Sequence, residues 1–448
     1  MRSLYNNFYK NLFLCSRLFI GMGCSALLFL LSFFLPWLGI IPVVFFGLIT
    51  ALLFIDLWML YSLPKGVFAK RISPERLSNG DENTISLYLE SYYPFATALE
   101  IIDEIPVQFQ KRDVLFKTAL TSRQHKLLNY LLRPTKRGEY EFGYLRVYVQ
   151  SPLKIISRRY NFEQAETLPV YPSFLLMRKY ELMAISNRLN EIGIKKIRRL
   201  GHSMEFEQIK NYVPGDDYRT VNWKATARQG DLMVNNYTEE KSQHVYCIID
   251  KSRSMKMPFD GLSLLDYAIN ASLVLSSVAL LKEDKAGLIT VAEKKGAVIA
   301  ADRRPTQLNK IMEVLYKEKT RYLETNLELL YTTIRRTLKQ RSLVVFFTNY
   351  ESLSALNRQM SILKQIAKFH LLLIVFFENT ELKELSVESA GNVEGIYIKT
   401  IAEKFVNEKK LIVKELARHG IQSILTTPQN LTVNTINRYL QIKASQKI

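Results

Sequence analysis

The stretch Ile248-Ile249-Asp250-Lys251-Ser252-Arg253-Ser254-Met255 carries the clearest chemistry in this chain. An apolar strand ends on an aspartate, and serines follow at alternate positions. One carboxylate and two hydroxyls on a single turn are hard oxygen donors, the type Mg²⁺ prefers. A structural alternative uses the same residues: Ser252 and Ser254 cap the loop through hydrogen bonds. Two further oxygen-bearing positions fall at expected element boundaries. Thr325 opens a helix in Glu324-Thr325-Asn326-Leu327, and Thr348-Asn349 ends the apolar run Leu343–Phe347. An amide at 349 contributes no charge, and Glu351 is near enough in sequence to supply one. A second group of carboxylates, Asp216 and Asp217, lies in Pro214-Gly215-Asp216-Asp217. Read as an acid–base pair they would make a metal-dependent hydrolase with Asp250. Read as a turn, with proline presetting φ and glycine giving freedom, they diverge and are structural. Arg219 and Arg228 are the expected ion-pair partners, and Trp223 the expected packing anchor. Elsewhere there is no Gly-rich phosphate loop, no Cys/His zinc spacing and no Gly-x-Ser-x-Gly elbow. The five histidines (His125, His202, His244, His370, His419) are scattered. No catalytic residue is assigned, and the chain is read as a non-enzyme.

The elements that must position Asp250 alternate between strand and helix. Strands are expected at His244–Asp250, Ala286–Ala292, Gly296–Ala301, Leu343–Phe347, Leu371–Phe377 and Ile421–Thr426. Helices are expected at Leu264–Leu281, Gln307–Lys317, Asn326–Leu338, Ser354–Phe369, Lys404–Arg418 and Thr432–Leu440. Continuous apolar strands such as Leu343–Phe347 fit a sheet buried on both faces. This alternation makes residues 241–445 a doubly wound α/β domain, in which ligands sit beyond the carboxyl ends of the strands.

Upstream, residues 65–172 read as short strands: Thr84–Leu89, Leu99–Ile102, Leu127–Leu132, Tyr140–Val149 and Ile155–Tyr160. Turn signals separate them, which suits a small β-sandwich. Residues 173–240 connect the two regions. They contain an expected helix at Leu175–Leu189 and a basic run, Lys195, Lys196, Arg198 and Arg199, that could meet anionic lipid.

The N-terminus has a different solvent. No charged residue occurs from Leu18 to Ile55. A single helix of that length would span roughly 57 Å, whereas a bilayer core is about 30 Å thick. Two passes fit, at about 14–36 and 38–62, broken near Pro36 and Pro42, so residues 1–64 form a membrane hairpin. Arg2, Lys10 and Arg17 precede it and Lys65, Lys70, Arg71 and Arg76 follow. The positive-inside rule therefore places both ends in the cytoplasm of a bacterial inner membrane. Arg17 and Asp56 bracket the run and are expected either to pair at one membrane face or to reach water separately.

The balance of 61 Lys+Arg against 42 Asp+Glu, a net charge of +19, admits acidic proteins, anionic lipid and nucleic acid as partners. Basic residues are not interleaved with stacking aromatics, so nucleic acid ranks last. Three cysteines are too few for a disulfide framework.

The segment Gly201–Arg228 resembles the signature of the bacterial domain of unknown function 58 family. The matching residues are Glu205, Phe206, Tyr212, Pro214, Gly215, Asp216, Asp217, Arg219, Asn222, Trp223, Lys224, Ala227 and Arg228. Pro134–Tyr140 and Tyr171-Pro172 also fit the family's N-terminal part. Asp250-x-Ser252-x-Ser254, with Thr325 and Thr348-Asn349, is similar to the metal-ion-dependent adhesion site of von Willebrand factor A domains. Those domains typically carry Thr-Asp where this chain has Thr348-Asn349. The resemblance implies a membrane protein with a von Willebrand A-like head. It further implies a Mg²⁺ site of Asp250, Ser252, Ser254, Thr325 and Asn349 that binds protein partners, weakened by the missing carboxylate. A MoxR-type AAA+ ATPase is the implied companion, in assembly or maturation of other proteins.

Overall fold

The computed structural model describes residues 10–111, 115–185, 204–214, 216–239, 242–388 and 392–445. It divides into two units, Met1–Tyr171 and Pro172–Ile448.

In the first unit, a short strand β1 (Leu12–Leu14) precedes helices α1 (Ser16–Phe34) and α2 (Ile41–Tyr61). Both helices are long and apolar enough to cross a membrane, and large side chains such as Phe33, Trp37, Ile40 and Trp58 are exposed along them. Such surfaces suit a lipid environment, in which a helix satisfies its own backbone groups. Asp56 is the exception: it is fully buried, and its Oδ2 accepts the backbone N–H groups of Ile155 and Ile156, each at 3.0 Å. Arg17 donates to the carbonyl of Leu153 at 3.2 Å. The expected Arg17–Asp56 pair is therefore corrected. Both residues clasp the backbone of 153–156: the Asp56 Oδ2 takes two amide donors, while its Oδ1 is buried without a partner among the described residues.

The rest of this unit is a β-sandwich. Its strands are β2 (Val67–Ile72), β3 (Leu77–Ser78), β4 (Asn83–Ser91), β5 (Thr97–Asp103), β6 (Leu115–Leu120), β7 (His125–Leu132), β8 (Gly138–Phe142), β9 (Leu145–Gln150), β10 (Ile156–Phe162) and β11 (Glu166–Tyr171). They form sheets β1-β10-β9-β5-β6, β2-β4-β7 and β3-β11-β8. Strict alternation puts Ile85, Leu87 and Leu89 of β4, and Leu145, Val147 and Val149 of β9, into one core. The expected strand Tyr140–Val149 is two strands in different sheets, split at Gly143-Tyr144. A polar knot is sealed inside. Asp103 accepts from Arg71 Nε at 3.1 Å, from Arg71 Nη2 and from Tyr130 Oη at 2.5 Å. Arg71 also donates to the carbonyls of Gln164 and Gly143.

The second unit opens with α3 (Phe174–Ile185); the basic run at 195–199 and His202 lie outside the described residues. A β-hairpin follows, β12 (Met204–Asn211) and β13 (Met233–Glu239), with the short helix α4 (Trp223–Gln229) between its strands. The remainder is the α/β head: β14 (His244–Asp250), α5 (Leu264–Leu281), β15 (Lys285–Val291), β16 (Lys295–Asp302), α6 (Thr306–Lys317), α7 (Leu327–Thr337), β17 (Leu343–Phe347), α8 (Leu353–Phe369), β18 (Leu371–Phe377), α9 (Thr380–Val387), α10 (Val393–Arg418), β19 (Gln422–Thr426) and α11 (Leu431–Ala444). The sheet order is β16-β15-β14-β17-β18-β19. Every adjacent pair is parallel except β15–β16. This is the doubly wound, von Willebrand A-like architecture. Helix α5 is as apolar as a membrane span, but a Ser263/Asp266 capping box starts it and it is buried inside the head. The strand order reverses at β14, which makes the carboxyl ends of β14 and β17 the switch-point crevice where a ligand is expected.

Candidate metal and docking site

Asp250 is the last residue of β14, and Thr348 and Asn349 directly follow β17, so the sequence delivers all three to the switch point. Asp250 is 3% exposed, and its carboxylate gathers a ring of donors. Oδ1 accepts the Ser252 N–H at 2.8 Å and the Thr325 hydroxyl, and Oδ2 accepts the Thr348 hydroxyl at 2.7 Å. Thr325 arrives from across the crevice, held by the Asn326 N–H bonding to the carbonyl of Ala292 at 3.0 Å, just before α7. The Ser252 and Ser254 hydroxyl oxygens lie 2.9 Å apart. These residues line an open cleft of about 270 Å³, whose walls also include Arg253, Arg358, Glu324 and Glu351.

Thus Asp250, Ser252, Ser254 and Thr325 converge as the spacing requires, and Thr348 joins them as an orienting hydroxyl. Two observations bear on whether they fit a hard cation. At Mg–O distances of about 2.0–2.1 Å, neighbouring octahedral ligands sit about 2.9 Å apart, the serine separation here; the same spacing also suits a hydrogen bond. The Tyr350 hydroxyl is buried without a partner among the described residues, and burial and the Asp250 charge hold it strongly against ionisation. An all-oxygen set with one carboxylate fits a hard divalent cation bound weakly, because no cluster of three or more His, Cys, Asp or Glu exists among the described residues.

Asn349 is placed differently. Its Oδ1 accepts from Lys409 Nζ at 2.7 Å, and its Nδ2 faces the Ser254 carbonyl at 3.3 Å. Lys409 also donates to the Tyr350 carbonyl, and its ammonium lies 5.7 Å from the Phe376 ring centre. Burial pushes the Lys409 amine down to about 8, with Glu351 pulling in the other direction. Lys409 went unnoticed in the sequence because it is sixty positions from Asn349. A signal was present: Lys409 and the half-buried Val406 share one stripe of α10, at helical spacing, with the buried Ala402, Ile412 and Leu416.

The signature segment is occupied with its own architecture. Asp216 accepts from Lys210 Nζ at 2.9 Å and from the Val213 N–H at 3.0 Å; these bonds hold its carboxyl below the usual range. Asp217 accepts the Arg219 N–H. Asn222 caps α4 through the Ala225 N–H and bonds Asn235 across the hairpin. Gly230 closes α4 at φ 79°. Two expectations are corrected here. Lys210, not an arginine side chain, pairs with Asp216, because it faces the turn from β12 while the Arg219 and Arg228 side chains are exposed. Trp223 is 73% exposed and anchors nothing within its unit; it occupies the first turn of α4, on the outer side. Tyr212, Pro214 and Lys224 are exposed as well. Glu205 lies in β12 opposite Thr238, and Gly215 lies outside the described residues.

Residues 208–394 match the family described as "Protein of unknown function DUF58". Over those residues the chain is similar to a DUF58 domain. The match runs from the hairpin into α10 and includes every candidate ligand, while Lys409 lies beyond it. The chain is 25% identical over 218 residues to "Uncharacterized protein YeaD" of Bacillus subtilis, covering 47% of this chain and 54% of that protein. It therefore spans about half the length of the curated relative it matches. Among solved structures, BatB from Bacteroides thetaiotaomicron overlaps 46% of this chain and 100% of its own, at 14% identity and a TM-score of 0.30. The PapD-like domain of human CEP192 overlaps 24% of this chain and 87% of its own, at 13% identity and a TM-score of 0.19. Scores this low add nothing to the sheet order, which by itself defines the head.

Proposed function

We propose that this chain is a membrane-anchored docking module whose head receives a partner protein at the Asp250 cleft. The observation that carries the reading is the convergence of Asp250, Ser252, Ser254 and Thr325 at the switch point, beside an open cleft. A bound Mg²⁺ would supply a Lewis-acidic point for a carboxylate of the partner. Asp250 and the three hydroxyls would hold it; the cleft wall carries Arg253 and Arg358 together with Glu324 and Glu351, so the attraction for an acidic partner would come from the cation itself. The partner class in this proposal is a client protein or an AAA+ ATPase of MoxR type. The positive-inside flanks support a bacterial inner-membrane anchor with the soluble parts in the cytoplasm.

The proposal is of binding without catalysis. Asp216 and Asp217 are engaged in a turn and a cap and are not among the residues lining the Asp250 cleft, whose other carboxylates are Glu324 and Glu351; the hydrolase alternative loses the pair it was built on. A basic-surface binder of anionic lipid or nucleic acid ranks behind it and predicts a steep loss of affinity with salt. Crosslinking and capture from native membranes, with Mg²⁺ or with EDTA, test the docking reading. Partners retained by the wild type in Mg²⁺ should be lost in EDTA and in Asp250→Ala. Identical capture in all three conditions sinks it.

A further inference from the structure

We infer that Lys409 is the residue that withholds Asn349 from the cleft's cation, acting as a tethered positive charge already seated on the amide oxygen. The inference rests on reading the Asp250 cleft as a cation site, and concerns which residues set its strength.

The orientation of Asn349 is determined by donor and acceptor chemistry. A lysine ammonium has donors only, so the atom 2.7 Å from Nζ must be the amide oxygen. The NH₂ group is then the atom turned toward the serine loop, at 3.3 Å from the Ser254 carbonyl. An NH₂ group cannot ligate a metal ion. The position that could add an oxygen to Asp250, Ser252, Ser254 and Thr325 instead presents a donor to them. Lys409 is firmly seated, with a second bond to the Tyr350 carbonyl and its ammonium over the Phe376 ring. Its stem lines an apolar groove with Met257, Phe377 and Phe405, so the side chain is held by packing as well as by hydrogen bonds. The pair Asn349–Lys409 thereby leaves Asp250 as the one carboxylate within the Asp250, Ser252, Ser254 and Thr325 group, with Glu324 and Glu351 on the cleft wall and a positive charge nearby.

This geometry makes a non-additive prediction. A carboxylate introduced at 349 lands on the Lys409 ammonium and forms an ion pair there, so charge alone does not strengthen the site. Removing Lys409 at the same time frees that carboxylate for the cleft. The experiment is calorimetric titration of the full-length protein in detergent with MgCl₂ alone, for wild type, N349D, K409M, N349D/K409M and N349D/K409Q, with thermal melting of each. N349D alone should change the Mg²⁺ dissociation constant by less than about threefold, while N349D/K409M should tighten it at least tenfold, about 1.4 kcal/mol. K409M alone should fall between them. N349D/K409Q keeps a polar group at 409 and is the check should the methionine variant melt early. The inference is overturned if N349D alone gains as much as the double variants, or if neither folded double variant gains. Failure of the docking reading looks different: partner capture would be indifferent to Asp250 and Mg²⁺, while the double-variant titration would still show its gain.

Discussion

Asp250→Asn and Asp250→Ala should separate the structural work of this side chain from its electrostatic work. The carboxylate accepts three donors: the Ser252 N–H, the Thr325 hydroxyl and the Thr348 hydroxyl. An asparagine can satisfy the same ring. Its oxygen takes the Oδ1 position, because a backbone N–H cannot reverse, and its NH₂ faces Thr348, whose hydroxyl can turn to accept. Hydrogen bonds to a charged group are worth about 1.5–3 kcal/mol and neutral ones about 0.5–1.5. The exchange therefore costs about 1 kcal/mol per bond, or about 3 in total. Relief from desolvating a buried anion, several kcal/mol, offsets it. The net change for Asp250→Asn should be within about 1 kcal/mol, a melting shift of about 2–4 °C for a domain of this size. Asp250→Ala strands the Ser252 N–H, at about 1–3 kcal/mol, and leaves two hydroxyls to find water, so it should melt well below the asparagine variant. Both should abolish Mg²⁺-dependent partner capture, because neither retains the only carboxylate in the ligand set. Melting curves with and without Mg²⁺, read beside capture, test this. If Asp250→Asn melts as low as Asp250→Ala, or keeps Mg²⁺-dependent capture, the assignment of Asp250 as the charged member of the site is refuted.

Asp103→Ala should cost about 3–5 kcal/mol because it strands a buried guanidinium, whereas Arg71→Met with Asp103→Leu should recover part of that loss, still stranding the Tyr130 hydroxyl and the Gln164 and Gly143 carbonyls; limited proteolysis of the β-sandwich reads the difference, and equal sensitivity would contradict a sealed ion pair. Asp56→Ala should loosen the seat of α2 on residues 153–156 by stranding two backbone N–H groups at about 1–3 kcal/mol each, and exchanging Arg17 and Asp56 should not restore detergent-extracted yield or melting; recovery on exchange would show that they pair after all. His244 and His370 are held below the ordinary imidazole value, first by burial and then by Lys285 and Arg341 respectively. Their Nε2 and Nδ1 atoms are buried without partners among the described residues. The unfolded chain protonates near 6.5 while the fold resists, so head stability should be level above about pH 6.5 and fall as the pH drops below it. A melting temperature independent of pH between 7.5 and 5 would contradict this, and replacing both histidines by leucine should flatten the profile.

The parts of this molecule readable in its sequence are those where one physical signal acts alone. Leu343–Phe347 and Leu371–Phe377 are unbroken apolar runs, and the structure places strands at those residues because a strand covered on both faces has no polar position to interrupt it. Where two signals compete, the reading fails in a patterned way. Helix α10 begins at Val393 rather than near Lys404: Gly395 and the β-branched residues that follow mask the helical period, while the Asn392 side chain caps the helix there by accepting the Gly395 N–H. The size and type of Trp223 suggest a packing anchor, yet its position in the first turn of a hairpin insert leaves it 73% exposed. The site divides along the same line. The grouping of Asp250, Ser252 and Ser254 is legible because three oxygen-bearing side chains within five residues are a local pattern, while Thr348 and Thr325 need only the expected strand and helix ends. Lys409 was not legible as a site residue, since its meaning depends on α10 packing across the end of β17. Its presence on an apolar stripe was the one local anomaly. A lysine flanked at helical spacing by Val406 and Ile412 either lies at a surface the stripe does not reach or has a buried acceptor to meet. Here it has two, Asn349 and Tyr350, and both belong to the loop that completes the cleft. A charged residue that breaks an apolar period in a doubly wound domain is therefore best sought at the carboxyl ends of the strands, where polar loop atoms can satisfy it.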